Sequence, residues 1–207
     1  MARYTESVCK LCRRERMKLF LKGAKCETMK CPVERKPYPP GEHGRGRIRE
    51  SEYLLQLREK QKCRRIYGLL ERQFRNLYEQ ASREPGITGE TLLRMLEQRI
   101  DNFVYRTNFA ASRNQARQFV RHGHVLVNGK RVTIPSYRVR PGDVITIGPK
   151  VKDNIIIRHN LDTIDRAVPA WLDVSSDKLE ATVRDLPLRE QIDVPVREQL
   201  IVELYSK

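Results

Sequence analysis

Apolar positions divide the chain into stretches of different period. From residue 51 to residue 100 they recur at helical spacing. Tyr53, Leu54 and Leu57 mark a helix that Ser51 can cap, running to about Ile66 with Gly68 beyond it. Phe74, Leu77 and Tyr78 mark a second, from about Glu71 to Arg83, closed by Pro85-Gly86. Leu92, Leu93, Leu96 and Ile100 mark a third, with Thr88 placed to cap it, and Asp101 to Phe109 predicts a short helix after that. Farther on the period shortens. Val144–Ile147 reads as a strand, Asn154–Arg158 as another, and Ala170–Val174 with Leu179–Val183 as a hairpin across Ser175–Lys178. Trp171 is read as core. Val196–Tyr205, following Pro195, predicts a closing short helix.

Between these two regimes lies RNQARQFVRHGHVLVNGKRV, residues 113–132. Ser112 with Gln115 three residues on has capping-box spacing, so a helix starts here. Ala116, Phe119 and Val120 share one face of it; Arg113, Arg117 and Arg121 recur every four residues on another. Gly123 stops the helix. Val125 and Val127 alternate with Leu126 and Asn128 as in a strand, Asn128-Gly129 is a strong two-residue hairpin signal, and Lys130-Arg131-Val132 starts the return. The hairpin brings His122, His124, Asn128, Lys130 and Arg131 near the arginine face, making one cationic unit.

Charge sharpens this picture. The chain has 207 residues, a formal net charge of +15 and 39% hydrophobic residues. So much positive charge points to a polyanionic partner, most simply nucleic acid. Residues 1–50 carry 14 Lys/Arg against 6 Asp/Glu, and residues 94–150 carry 11 against 3; residues 153–207 reverse the sign, 7 against 11. No apolar run approaches the ~20 residues that span a bilayer. No signal peptide is visible, so a soluble, cytoplasmic chain is expected, with no membrane partner.

The first segment holds Cys9-x-x-Cys12 and, after thirteen intervening residues, Cys26 and Cys31. Two close pairs can supply the four tetrahedral ligands of zinc, at about 2.3 Å each. A 4Fe–4S cluster could use the same four cysteines. Disulfides rarely persist in a cytosolic chain, and a redox pair lacks its usual βαβ setting. Cys63 is read as an ordinary helix residue. The next stretch, PVERKPYPPGEHGRG, is too rich in Pro and Gly for a helix or sheet interior. Tyr38 and His43 lie there among Arg35, Lys36, Arg45 and Arg47, and rings interleaved with cations suit RNA. With Arg3, Arg13, Arg14, Arg64 and Arg65, these complete the candidate RNA contacts outside the central unit.

LEQRIDNFVYR, SRNQARQFVRHGHVLVNGKRV and RPGDVITI, in that order and spacing, resemble the small RNA-binding module named after ribosomal protein S-four. MARYTESVCKLCRRE and RKPYPPGEHG extend the resemblance to the bacterial small-subunit ribosomal protein S-four family, in its cysteine-retaining subset. The resemblance implies an α+β fold with four parts. Residues 1–45 would be a metal-binding extension and Pro-rich arm. Residues 46–96 would be a helical domain, with 190–207 packing back on it. Residues 97–157 would be the inserted RNA-binding module, and 158–189 its β-rich extension. It also implies a structural role: direct, early binding to 16S ribosomal RNA, nucleation of 30S assembly and an influence on translational accuracy. Partners would be ribosomal protein S-five and messenger RNA near its entry path, with the chain monomeric within the ribosome.

Catalytic arrangements are absent from the sequence. There is no G-x-x-x-x-G-K-[ST], G-x-G-x-x-G or G-x-S-x-G, and none of the four histidines has a nucleophile or carboxylate at a telling offset. The competing readings are an RNA-modifying enzyme that carries the same module, for which little sequence remains, and a zinc-dependent DNA-binding regulator.

Overall fold

The computed structural model describes residues 3–46, 49–151 and 154–206. Arg47, one of the candidate RNA contacts, lies outside them. The helices among the described residues are α1 (Val8–Glu15), α2 (Pro32–Arg35), α3 (Glu52–Ile66), α4 (Glu71–Ala81), α5 (Thr88–Glu97), α6 (Ile100–Arg106), α7 (Arg113–Arg121), α8 (Ile155–Thr163) and α9 (Glu198–Ser206). The strands are β1 (Val125–Val127), β2 (Lys130–Val132), β3 (Val144–Ile147), β4 (Leu172–Ser175) and β5 (Glu180–Val183). The chain is α+β and folds as two compact units, Met1–Leu92 with Val194–Lys207, and Leu93–Asp193. No helix among the described residues is long and apolar enough to cross a membrane.

In the first unit, Ser51 caps α3 by accepting from the Leu54 amide, which satisfies one of the donors that a helix start leaves free. The last helix returns to this unit and packs on α3. The amide of buried Gln56 donates to Glu203 at 3.0 Å. The Tyr205 ring stacks on Tyr78 at 4.5 Å, and its hydroxyl donates to Glu71 at 2.9 Å. Glu71 also pairs with Lys60 at 2.7 Å. Burial and the Glu71 carboxylate together push the Tyr205 phenol above its ordinary range. Cys63 is fully buried on α3.

The second unit is built on a five-stranded antiparallel sheet of order β2-β1-β3-β5-β4. Alternate residues face its core: Val125 and Val127, Ile145 and Ile147, Ala181 and Val183 are all buried. Phe103, Ala116, Val120 and Ile157 from the helices, and Phe109 from the turn between α6 and α7, close over them. Trp171 joins this core, edge-on to Phe103 at 6.4 Å. Asn128 and Gly129 both have positive φ, 49° and 77°, as a two-residue type I′ turn requires.

Asn154–Arg158, expected as a strand, belongs to α8 instead. Asn154 caps the helix by accepting from the Ile156 amide. Burial then follows helical spacing: Ile157 and Asn160 are inside, while Ile155 and Ile156 are exposed. The Asn160 amide donates to the Phe109 carbonyl at 3.1 Å, fixing the turn in place from across the unit. Two smaller differences concern helix ends: α4 stops at Ala81, and Thr88 is the first residue of α5.

Candidate nucleic-acid interface and cysteine cluster

The arginine face of α7 is not uniform. Ser112 caps the helix by accepting from the Gln115 amide. The Gln115 side chain, however, accepts from the Ala111 amide at 2.6 Å and lies 3.3 Å from the Asn160 amide. It closes the helix start one residue earlier than a capping box would, and its polar end is used internally. Arg117 is 6% exposed and donates to Asp101 at 3.1 Å. Asp101 is also gripped by Arg99 through two bonds, of 3.0 and 2.7 Å. The solvated stripe expected from Arg113, Arg117 and Arg121 is therefore corrected at its middle member. A guanidinium beside an apolar core is retained only where a carboxylate compensates it, and Asp101 does so.

Arg113 is half-buried. Its Nε donates to Asn102 at 2.8 Å, and its guanidinium lies 4.2 Å from the centre of the Tyr105 ring. Arg121 is exposed, and so are His122, Lys130 and Arg131. The Arg131 guanidinium folds over Gly123: a Cβ built there would sit 2.1 Å from its Nε. His124, half-buried, has its ring 5.7 Å from that of His122. Burial, then the neighbouring His122 and Arg131, lower its pKa. Asn128 is exposed but engaged. It donates to Asp143 at 2.9 Å and accepts from the Val144 amide at 2.9 Å. It braces the hairpin and has little amide capacity left for reading a base. The exposed cations beside α7 and the hairpin are thus Arg121, Lys130 and Arg131, with the exposed His122 ring among them and His124 behind.

In the first unit the Pro-rich arm is held by cation–aromatic contacts. Arg13 of α1 donates to the carbonyls of Lys36 and Tyr38, at 3.2 and 3.0 Å, and lies 5.0 Å from the Tyr38 ring centre. Arg45 lies 4.7 Å from the same centre, and its Nη2 donates to the Tyr38 hydroxyl. That hydrogen bond lowers the phenol pKa. Tyr38, expected to stack on bases, serves as the seat for two guanidiniums, and Arg13 becomes a brace. Arg3, Arg14, Arg35, Lys36, His43 and Arg45 are exposed. Arg64 and Arg65 are half-buried. Arg64 donates to Gln61 and lies 3.5 Å from Glu71, while Arg65 pairs with Glu15.

Cys9, Cys12, Cys26 and Cys31, all free, line one small pocket of about 10 Å³ together with Val8, Leu21 and Pro32. Burial pushes the Cys12 thiol up to about 11, and the other three cysteines contribute to the rise. Burial raises Cys26 as well. The donor set fits a tetrahedral, thiolate-preferring ion, and the pocket has room for one. As placed, no three His, Cys, Asp or Glu side chains among the described residues stand at coordinating distances.

Arg16, Arg58 and Lys62, cations that the sequence shows but that stand outside the candidate RNA contacts above, line a basic cleft on the first unit. The signal that could have found them was the four-residue spacing of Leu54, Arg58 and Lys62 along α3.

Two family models match the chain in succession. The one described as ribosomal protein S4/S9 N-terminal domain matches residues 3–97, and the one described as S4 domain matches residues 98–145. The small ribosomal subunit protein uS4 of Acidothermus cellulolyticus is 64% identical over 208 residues, covering all of both chains. Its counterparts in Pelotomaculum thermopropionicum and a Thermoanaerobacter species are 60% and 57% identical, again over the full length of both chains. At such identity from end to end, the chain belongs to the small ribosomal subunit protein uS4 family.

Proposed function

We propose that this protein is a structural constituent of the small ribosomal subunit that binds 16S ribosomal RNA and catalyses no reaction. The supporting observation is that each of its two folded units carries its own exposed cations. Among them are Arg121, Lys130 and Arg131 on one unit, and Arg3, Arg14, Arg35, Lys36 and Arg45 on the other. The full-length likeness to small-subunit ribosomal proteins supports it in parallel. Lys and Arg neutralise phosphates, and the prefolded surfaces recognise the shape of a folded RNA. The test is a footprint and a binding titration on 16S ribosomal RNA at several salt concentrations. Protection at a defined site is expected, with affinity falling as counterions are released. Salt-independent binding, or no protection, would refute the reading. A pure protein that altered nucleosides in that RNA would favour the modifying-enzyme alternative. Preference for duplex DNA would favour the regulator.

Finer parts of this reading concern partners and metal. The protein binds early and nucleates 30S assembly. It touches ribosomal protein S-five and messenger RNA near the entry path, and so bears on accuracy. Its localisation is the ribosome in the cytoplasm. Cys9, Cys12, Cys26 and Cys31 hold Zn²⁺, which pins α1 to the loop after it. Their convergence on one pocket supports this. Metal analysis and the absorption spectrum of anaerobically purified protein separate zinc from an iron–sulfur cluster.

A further inference from the structure

The first unit has a concave site that the expected RNA contacts do not explain. It is a cleft of about 180 Å³ between the end of α1 and one face of α3. Arg14, Arg16, Arg58 and Lys62 line it. Leu54, Leu55, Met17 and Pro39 supply apolar wall. Leu55 is 44% exposed, unusual for a leucine beside available core. Arg16 is the C-cap of α1 and is held in the left-handed region at φ 55°.

Three carboxylates, Glu15, Glu50 and Glu59, line the cleft with the four cations. Glu15 is its buried carboxylate, with a side chain only 3% exposed. Its Oε1 is bonded to Arg65. Arg58 reaches the same oxygen only at 3.7 Å, beyond a hydrogen bond. The Arg58 Nε is buried and has no partner. Burial lowers Arg58 from its ordinary value; Glu15 opposes this, and Arg65, Arg14 and Arg64 add to it. Lys62 is occupied by Glu59 at 2.5 Å. Of the three carboxylates that line the cleft, Glu59 is taken by Lys62 and Glu15 by Arg65, and the Arg58 Nε is left without a partner. Buried donors in folded proteins nearly always have a partner, so one arriving from outside is expected. An anion would satisfy the arginines. The leucine and proline wall calls for something flat and apolar attached to it. The cleft is smaller than the ~300 Å³ at which sites for drug-sized ligands begin, so it would hold only part of a single nucleotide and nothing larger.

We propose that this cleft receives a single unstacked nucleotide of the bound RNA, with its phosphate on Arg58 and Arg14 and its base against Leu54, Leu55 and Pro39. The inference rests on the RNA-binding reading above and adds to it a pocket that grips one extruded residue of a single-stranded segment, a common way for proteins to read RNA.

The test uses the full chain. AMP, GMP, CMP, UMP and inorganic phosphate are titrated while NMR follows the arginine Nε–Hε signals and leucine methyls. The monophosphates are expected to move both the Arg58 Nε–Hε signal and the Leu54 and Leu55 methyls. Inorganic phosphate should move the arginine alone. In parallel, Arg58→Gln should weaken binding to 16S ribosomal RNA roughly tenfold, the loss expected for one charge-assisted hydrogen bond. Leu55→Asp, at an exposed position that the fold does not need, should weaken it too. If wild type binds the RNA but monophosphates leave these signals still, the pocket is wrong and the RNA reading stands. Monophosphates acting no differently from inorganic phosphate would leave an anion site and overturn the nucleotide. A wild type that ignores the RNA removes the reading and the pocket together.

Discussion

Asp101→Asn should destabilise the second unit far more than Arg117→Met. The carboxylate is the hub of a buried charge cluster: its side chain is 7% exposed, that of Arg99 5% and that of Arg117 7%. Arg99 contributes two bonds and Arg117 one. The amide of Asn is nearly isosteric, so packing survives, but two guanidiniums are left inside without a counter-charge. Stranding a buried charge in this way costs about 3–5 kcal/mol. In Arg117→Met the carboxylate keeps its two-bond grip on Arg99, and the Met side chain fills the stem's volume. The Arg117 Nε, buried without a partner, is also removed. The net loss should be about 1–2 kcal/mol, one charged hydrogen bond less some relief. Trp171 is the only tryptophan and sits in this unit's core, so its fluorescence during urea unfolding reports this unit alone. RNA binding gives a second readout. Removing a cation that neutralises a phosphate would reduce the magnitude of the salt slope by about one; Arg117→Met should leave it unchanged. Equal stability losses for the two variants would refute the hub assignment. A reduced salt slope would mean that Arg117 reaches RNA.

Gly123→Ala should cost about 1–2 kcal/mol, because Gly123 has φ 71°, a region that penalises a Cβ. It should also weaken RNA binding by displacing Arg131; urea unfolding and a titration check both, and a neutral variant would contradict the geometry. RNA affinity should rise as pH falls from about 8 to about 6, bracketing the usual histidine pKa. His124, lowered in the free protein, starts neutral and takes up a proton beside phosphate; His124→Gln should flatten the profile, and a flat wild-type profile would remove His124 from the interface. Loading with Zn²⁺ near neutral pH should release protons, because the Cys12 thiol, pushed up to about 11 by burial, must give up its proton to bind as a thiolate. Affinity should therefore climb with pH. Calorimetry in buffers of different ionisation enthalpy measures the release, and none would argue against thiolate ligation.

What the sequence discloses depends on how local the cause is. Ser51 and Ser112 cap helices through bonds three residues away, and Asn128-Gly129 sets its own turn, so these were readable. Three consecutive isoleucines at 155–157 have no period. Helix was chosen there by the cap of Asn154 and by Asn160 reaching Phe109, 51 residues back. Similarly, nothing in the spacing of Arg113, Arg117 and Arg121 separates a solvated arginine from a buried one. Arg117 is drawn inside by a carboxylate sixteen residues earlier. The Arg58 cleft joins α1 to α3, and charge matching across that distance is invisible in a linear pattern. The cysteines were legible as a set; that burial raises the Cys12 and Cys26 thiols was not.

The return of α9 to α3 has a consequence for biosynthesis. Residues 1–92 cannot reach their finished form until 194–207 have been made and have emerged from the ribosome, since Tyr205 supplies the ring that covers Tyr78 and the hydroxyl that meets Glu71. The usual order, in which the amino-terminal part matures first on the nascent chain, is therefore broken: the segment translated first waits for the one translated last.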